Sequence, residues 1–165
     1  MTNKLKELRN NKQYQLSLWL KTVDLFLMIL VIMLFGVFSW YGAKGVGPTA
    51  ENIRSYGVFL YVTEVLTLVM LIIFWRVATE IGRDNSFSME NVKHFRYIGY
   101  CSGTISMGYL FRLIYVIANG NFTWFRIGYC LALMIFGILV LSVCLILSCL
   151  IKNAYEMKQE NDLTI

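Results

Sequence analysis

The sequence predicts an all-α membrane protein, an antiparallel four-helix transmembrane bundle with both termini in the cytoplasm. Of its 165 residues, 58% are hydrophobic and only 15% are charged, whereas a soluble domain carries about a quarter charged residues. The chain has a single proline and four long apolar runs. Intrinsic disorder is excluded by the high apolar content, and a soluble globule would leave long apolar stretches in water.

The four apolar runs predict four membrane-spanning helices in one domain that covers residues 1–165. We place the spans at residues 18–41, 56–78, 95–118 and 127–151. Each is near the roughly 20 residues that a helix needs to cross the hydrocarbon. None shows the period-two alternation of barrel strands. The first run starts too late and is too long for a cleaved signal peptide, so we expect it to be retained.

Lysine and arginine predict the orientation in the membrane. Eleven of the fifteen lie in or beside the N-terminal segment, the loop at residues 79–94 and the tail at residues 152–165. The other side has only Lys44, Arg54 and Arg126. The positive-inside rule therefore predicts a multi-pass membrane protein with both termini cytoplasmic. Anionic lipids are sufficient partners for the net charge of +5, so we expect no direct binding of nucleic acid.

The N-terminal segment, residues 2–17, allows two interpretations. Leu5, Leu8 and Leu16 recur at helical spacing opposite a basic face. This pattern is typical of an amphipathic helix on the inner leaflet. A solvated basic leader fits the same short pattern.

The loop before the third span contains the signals of a helix start. Ser88 is a favourable N-cap, and Glu90 falls in the first turn, where a negative charge is stabilised by the helix dipole. Phe87 and Val92 have the spacing of a hydrophobic staple. We therefore predict a helix that begins near Met89 and continues into the span. The tail should extend the fourth span by about two turns and then fray.

These two cytoplasmic segments resemble the signature of a bacterial membrane family. Residues 86–92, followed by Arg96-Tyr97-Ile98-Gly99, are similar to a "PFS-x-EN-…-RIG" motif, and residues 159–165 are similar to an "EENDLTI" ending. The family is the domain-of-unknown-function 2975 group of small four-helix membrane proteins. Asn85 stands where the family often has Gly or Pro, and Gln159 replaces a common Glu.

The resemblance implies a four-span fold over nearly the whole chain, but it implies no activity. Genes of this family often lie beside that of a small helix-turn-helix regulator, which suggests a regulatory pairing. We predict that such a cytoplasmic DNA-binding regulator binds the motif residues. They are Ser86, Phe87, Ser88, Glu90, Asn91, Glu160, Asn161 and Asp162.

Glu64 and Arg112 lie within spans, where charged residues are candidates for function. Both fall roughly 10 Å below the outer surface at 1.5 Å per residue. Thr104, Gly108 and Arg112 recur every four residues and form a small-residue face, so we expect Arg112 to face the bundle and pair with Glu64. The pair is either a fixed helix contact or a site for an ion or an anionic ligand. Snorkelling to lipid head groups is the third interpretation.

Asp24 lies about six residues inside the cytoplasmic end of the first span. Arg76, at the inner end of the second span, is its natural partner, and Lys21, one turn earlier, is the alternative. Because both charged groups lie near the membrane interface, where water helps to solvate charge, we expect a structural ion pair.

The residues predict no catalytic site, no metal site and no cofactor. We find no nucleophile–base set, and Cys144 and Cys149 are spaced poorly for a shared metal or a disulfide. Gly99-x-x-x-Gly103 is a helix-packing motif. We therefore expect a non-enzymatic signalling or regulatory protein. One alternative is a small transporter or channel, a homo-oligomer in which Glu64 and Arg112 handle an ion or an anion. The other is an immunity protein against a membrane-active peptide.

Overall fold

The described part of the chain, residues 2–43, 53–83, 85–119 and 124–163 of a computed structural model, is almost entirely helical. The helices are α1 (Thr2–Ala43), α2 (Ile53–Gly82), α3 (Met89–Ala118) and α4 (Trp124–Leu163). Each contains a segment long and apolar enough to cross a membrane. The all-α prediction is confirmed, each predicted span falls within one of these helices, and the chain has the features of a multi-pass membrane protein.

Two compact units divide the chain, residues 1–82 and residues 83–165. The first contains α1 and α2. Ser17 donates a 2.6 Å hydrogen bond to the carbonyl oxygen of Ala78, and the rings of Phe35 and Tyr61 meet at 4.5 Å. Early residues of α1 therefore contact late residues of α2, and these two helices run in opposite directions. Gly82 permits the close approach, because a Cβ there would lie 2.7 Å from Oγ of Ser17.

The second unit pairs α3 with α4 in the same manner. Ser148 donates a 3.1 Å hydrogen bond to the carbonyl oxygen of Val92 near the start of α3. At the far end the rings of Tyr109 and Tyr129 are 6.3 Å apart in an edge-to-face arrangement. These contacts fix the direction and register of α4 against α3.

Small residues line the contact between α3 and α4. A Cβ at Gly99 or Gly103 would lie 3.3 or 3.4 Å from the side chain of Leu141. This confirms that the Gly99–Gly103 motif packs helices. Small side chains at such positions let two backbones approach closely. Thr104 is exposed in this unit, and its hydroxyl donates to the carbonyl of Tyr100 in its own helix.

The N-terminal segment is helical from Thr2 onward and continues into the first span. Leu16 and Trp19 are exposed there, while Ser17 is buried against α2. The side chains of residues 2–10, which would distinguish an amphipathic helix from a basic leader, lie outside the described residues. The Gly-rich stretch after Ala43 and most of the turn after Asn119 also lie outside them.

The tail is helical for longer than the sequence predicted. α4 continues to Leu163, twelve residues past the predicted end of the span and just over three turns of helix. Lys152 and Glu156 form an i,i+4 ion pair at 3.4 Å, and Gln159 donates a 2.9 Å hydrogen bond to the Tyr155 hydroxyl. Such pairs stabilise the polar extension, which the prediction of two turns did not take into account.

Candidate functional site at the shared end of α3 and α4

The start of α3 follows the predicted capping pattern. Ser88 has an extended backbone, and its Oγ accepts a 3.2 Å hydrogen bond from the backbone N–H of Asn91. This contact satisfies one of the donors that a helix N-terminus leaves unpaired. Glu90 lies in the first turn, and the helix begins at Met89. The predicted helix start is confirmed.

The two members of the predicted staple have different environments. Val92 is buried, and its carbonyl oxygen accepts from Ser148 of α4. Phe87 keeps 57% of its surface exposed, so a staple contact can bury only part of this ring. The Phe87 side chain thus remains available on the surface of the loop.

Asn91 holds the loop that precedes α3. Its side chain is 1% exposed, and Nδ2 donates hydrogen bonds of 3.3 and 3.0 Å to the carbonyl oxygens of Asn85 and Ser86. Asn91 and the buried Ser88 are therefore engaged within the chain. Both side chains thus serve the loop itself, and their binding of a partner stays a prediction. Phe87 and Glu90 remain exposed, and Ser86 is half-buried.

A second set of contacts ties this end of α3 to α4. The Oγ of Ser148 donates to the carbonyl of Val92 and accepts a 3.3 Å hydrogen bond from Nε of Arg96. Arg96 is the first residue of the Arg96–Gly99 motif. The sequence did not indicate Ser148, because a serine within an apolar run gives no signal of the helix that it contacts.

The tail extends from the same end of the unit. Since Ser148 lies opposite Val92, the part of α4 after about residue 152 passes the start of α3 at Met89. The side chains of residues 156–161 are all exposed, including Glu160 and Asn161. The side chain of Asp162 lies outside the described residues. The loop at residues 85–90 and the tail at residues 152–161 thus share one end of the unit, which we call the motif end.

The loop and the tail both lie within the part of the chain that resembles known proteins. A family model described as a protein of unknown function, DUF2975, matches residues 55–165. The chain belongs to the DUF2975 family. The match includes nearly all of α2, the whole of α3 and α4, and both segments of the motif end in this DUF2975 protein. No curated protein and no solved structure matches the chain.

The predicted Glu64–Arg112 pair joins residues of different units. Glu64 is half-buried in α2. Arg112 of α3 is half-buried, and its guanidinium is close enough to the Cys130 thiol of α4 for a side-chain hydrogen bond. The sequence did not indicate this contact, since only the register of α4 against α3 brings the two residues together. The pairing of Glu64 with Arg112 stays a prediction.

The predicted Asp24–Arg76 pair does not form. Asp24 is fully buried, and neither carboxylate oxygen has a hydrogen-bond partner. Arg76 is exposed, whereas its neighbours Val77 and Ala78 are buried. Because successive helical residues point about 100° apart, placing Val77 and Ala78 in the interior turns Arg76 outward.

Proposed function

We propose that this DUF2975 protein is a non-enzymatic signalling protein of the bacterial inner membrane that binds a small cytoplasmic helix-turn-helix regulator at its motif end. In this proposal the four helices form an antiparallel bundle and both termini are cytoplasmic. The observation that carries the proposal is that the loop and the tail, which hold the recognisable motifs, share one end of the α3–α4 unit.

The surface of the motif end supports binding of a protein. Phe87, Met89 and Met157 keep 57, 41 and 59% of their surface exposed. Residues near them are polar, so this end suits the cytoplasm rather than lipid. Apolar side chains exposed there, rimmed by polar ones, are typical of sites that contact other proteins.

The tail helix supports the same proposal. Residues 156–161 are all exposed, so this part of α4 has little tertiary packing within its unit. Most helical stability in proteins comes from packing rather than from propensity. A helix of this kind is held by its own i,i+4 pairs until a partner packs against it. The tail therefore offers a partner a helix that is already formed.

The contacts between the helices suggest how a signal would reach the motif end. The bonds of Ser148 to Val92 and Arg96 fix the position of α4 relative to the loop. A change in the membrane region that shifts α4 along α3 would move the tail relative to Phe87. Shifts of one helix along another by about 1–2 Å are a common form of switching. The regulator would then be bound or released.

Two structural features favour signalling over transport. Many transporters bind substrate at broken helices near the bilayer centre. In this chain α2 and α3 are continuous over 30 residues each. The helical extension of α4 outside its span, by contrast, suits contact with a cytoplasmic partner better than passage of an ion.

A pull-down from membranes tests the proposal. The intact protein should recover a helix-turn-helix protein, identified by mass spectrometry. Removal of residues 152–165, or the substitution Phe87→Ala, should abolish recovery. Asn119→Ala, a change at the opposite end of α3, is the matched control and should leave recovery intact. Recovery that is unaffected by either change at the motif end would contradict the proposal, as would ion flux through liposomes that contain the purified protein.

A further inference from the structure

Asp24 is an acidic side chain enclosed between apolar helices, and it has no hydrogen-bond partner among the residues that the structure describes. It lies within the membrane-spanning segment of α1 and has no exposed surface. Neither Oδ1 nor Oδ2 accepts or donates a hydrogen bond. Buried carboxyl groups are normally paired or hydrogen-bonded, so this arrangement needs an explanation.

The nearby cations do not neutralise Asp24. Lys21, one turn earlier on α1, places its Nζ 5.6 Å from the ring centre of Trp75 on α2, a cation–π geometry. Arg76 points to the exposed side of α2. The other charged group of this part of α2 is Glu80, which has the same sign as an ionised Asp24 and so cannot be its counter-ion. The charged residues that face this region from both helices thus provide no counter-ion that is bonded to Asp24.

A metal ion does not suit the position. Calcium needs six to eight oxygen ligands, and magnesium needs near-ideal octahedral geometry. Among the residues that the structure describes, no group of three or more His, Cys, Asp or Glu side chains could hold a metal. A proton, by contrast, neutralises a lone carboxylate without needing any further ligand.

We propose that Asp24 is a proton-binding site and that the α1–α2 unit holds it as an uncharged carboxylic acid. The bare carboxylate in this apolar position would cost far more free energy than the acid, since nothing solvates or pairs the charge. Release of the proton would place a negative charge between α1 and α2. This charge would lie about two helical turns from the contact of Ser17 with Ala78 on the same helix pair.

This site goes beyond the proposed function, because it lies in the other unit and requires no regulator. Proton binding at Asp24 would hold α1 against α2, and loss of the proton would loosen them. The ligand is a proton from the cytoplasmic side, since Asp24 lies near the predicted inner end of its span.

Infrared spectroscopy of the full-length protein in lipid bilayers tests the proposal. A protonated carboxyl group has a C=O stretching band distinct from the bands of an ionised carboxylate. At neutral pH the spectrum should contain this band, Asp24→Asn should remove it, and Glu64→Gln, a change at another intramembrane carboxyl, should leave the Asp24 contribution unchanged. Arg76→Gln should also leave it unchanged. Raising the pH should abolish the band, and sodium should have no effect.

Three results would overturn the proposal. One is a wild-type spectrum whose acid band is unaltered in Asp24→Asn. Another is an acid band that appears only in Arg76→Gln, which would mean that an ion pair keeps Asp24 charged. The third is loss of the band on addition of sodium, which would indicate a cation site. If Asp24→Asn fails to fold, isotopic labelling of aspartate in the unchanged chain should shift the acid band, and a band that does not shift belongs to another group.

Discussion

Ser102 of α3 donates a 2.8 Å hydrogen bond to the carbonyl oxygen of Gly137 in α4. The bond is possible because Gly137 has no side chain and the two backbones approach closely. A Cβ at Gly137 would clash with Oγ of Ser106 and would lie 3.3 Å from the carbonyl oxygen of Ser102. The register of the whole α3–α4 unit, and hence the meeting of loop and tail, depends on this close approach.

Replacing Gly137 by leucine should therefore separate α3 from α4. We expect a loss of about 1–3 kcal/mol in the free energy of unfolding, the usual range for overpacking a tight interface. Gly128→Leu is the matched control, because a Cβ there meets nothing within 4 Å and the change removes a flexible glycine from the same helix. The free energy of unfolding of each variant is measured in mixed micelles. Equal stability of the two variants would contradict the observed register.

The hydrogen bonds that Asn91 donates to the loop before α3 predict that a substitution there destabilises this loop. Asn91→Asp replaces the Nδ2 donor by an acceptor, so the carbonyl oxygens of Asn85 and Ser86 face a negative charge instead of a hydrogen-bond donor. We expect a loss of about 1–3 kcal/mol, the cost of leaving buried polar groups unsatisfied. Glu90→Gln changes the neighbouring, exposed residue and should have little effect on stability.

Hydrogen exchange locates the change caused by Asn91→Asp. The backbone amides of residues 85–92 should exchange faster in the variant, while those of residues 98–110 should keep the protection of the intact protein. Unchanged exchange in the loop would mean that Asn91 does not hold it.

The predicted Glu64–Arg112 pair is tested by a double-mutant cycle. If the two groups pair, Glu64→Gln removes the counter-ion of Arg112 and Arg112→Gln removes that of Glu64, whereas the double substitution leaves neither charge behind. We expect a coupling of about 1 kcal/mol or more in thermal stability in detergent. The exposed Lys152–Glu156 pair provides the comparison, since i,i+4 surface pairs couple by only about 0.3–0.5 kcal/mol. Additive losses would show that Glu64 and Arg112 do not touch.

The orientation is tested by labelling of single cysteines in a chain whose native cysteines are replaced. A cysteine at Ser86 should react with a membrane-impermeant reagent only after cells are opened, because the loop is predicted to be cytoplasmic. A cysteine at Gly45 should react in intact cells. Reaction of both positions from the same side would contradict the four-span orientation.

The sequence by itself determined the four helices of this DUF2975 protein. Apolar runs of sufficient length are a local property, and so is the cap at Ser88, because its Oγ bonds an amide only three residues away. The family was also readable from the short motifs around Phe87 and Asn161. Each of these signals depends on neighbouring residues along the chain, so no knowledge of packing was needed.

Only the tertiary structure decided which polar side chains face one another. Arg76 was the natural partner of Asp24 by depth, but the burial of Val77 and Ala78 turns it outward and leaves Asp24 enclosed. Ser148 acquired its role from the carbonyl of Val92, a residue 56 positions away. The rotation of a helix about its axis and its register against a neighbour follow from how side chains interlock between helices. That information lies in the packed pair and not in either helix alone.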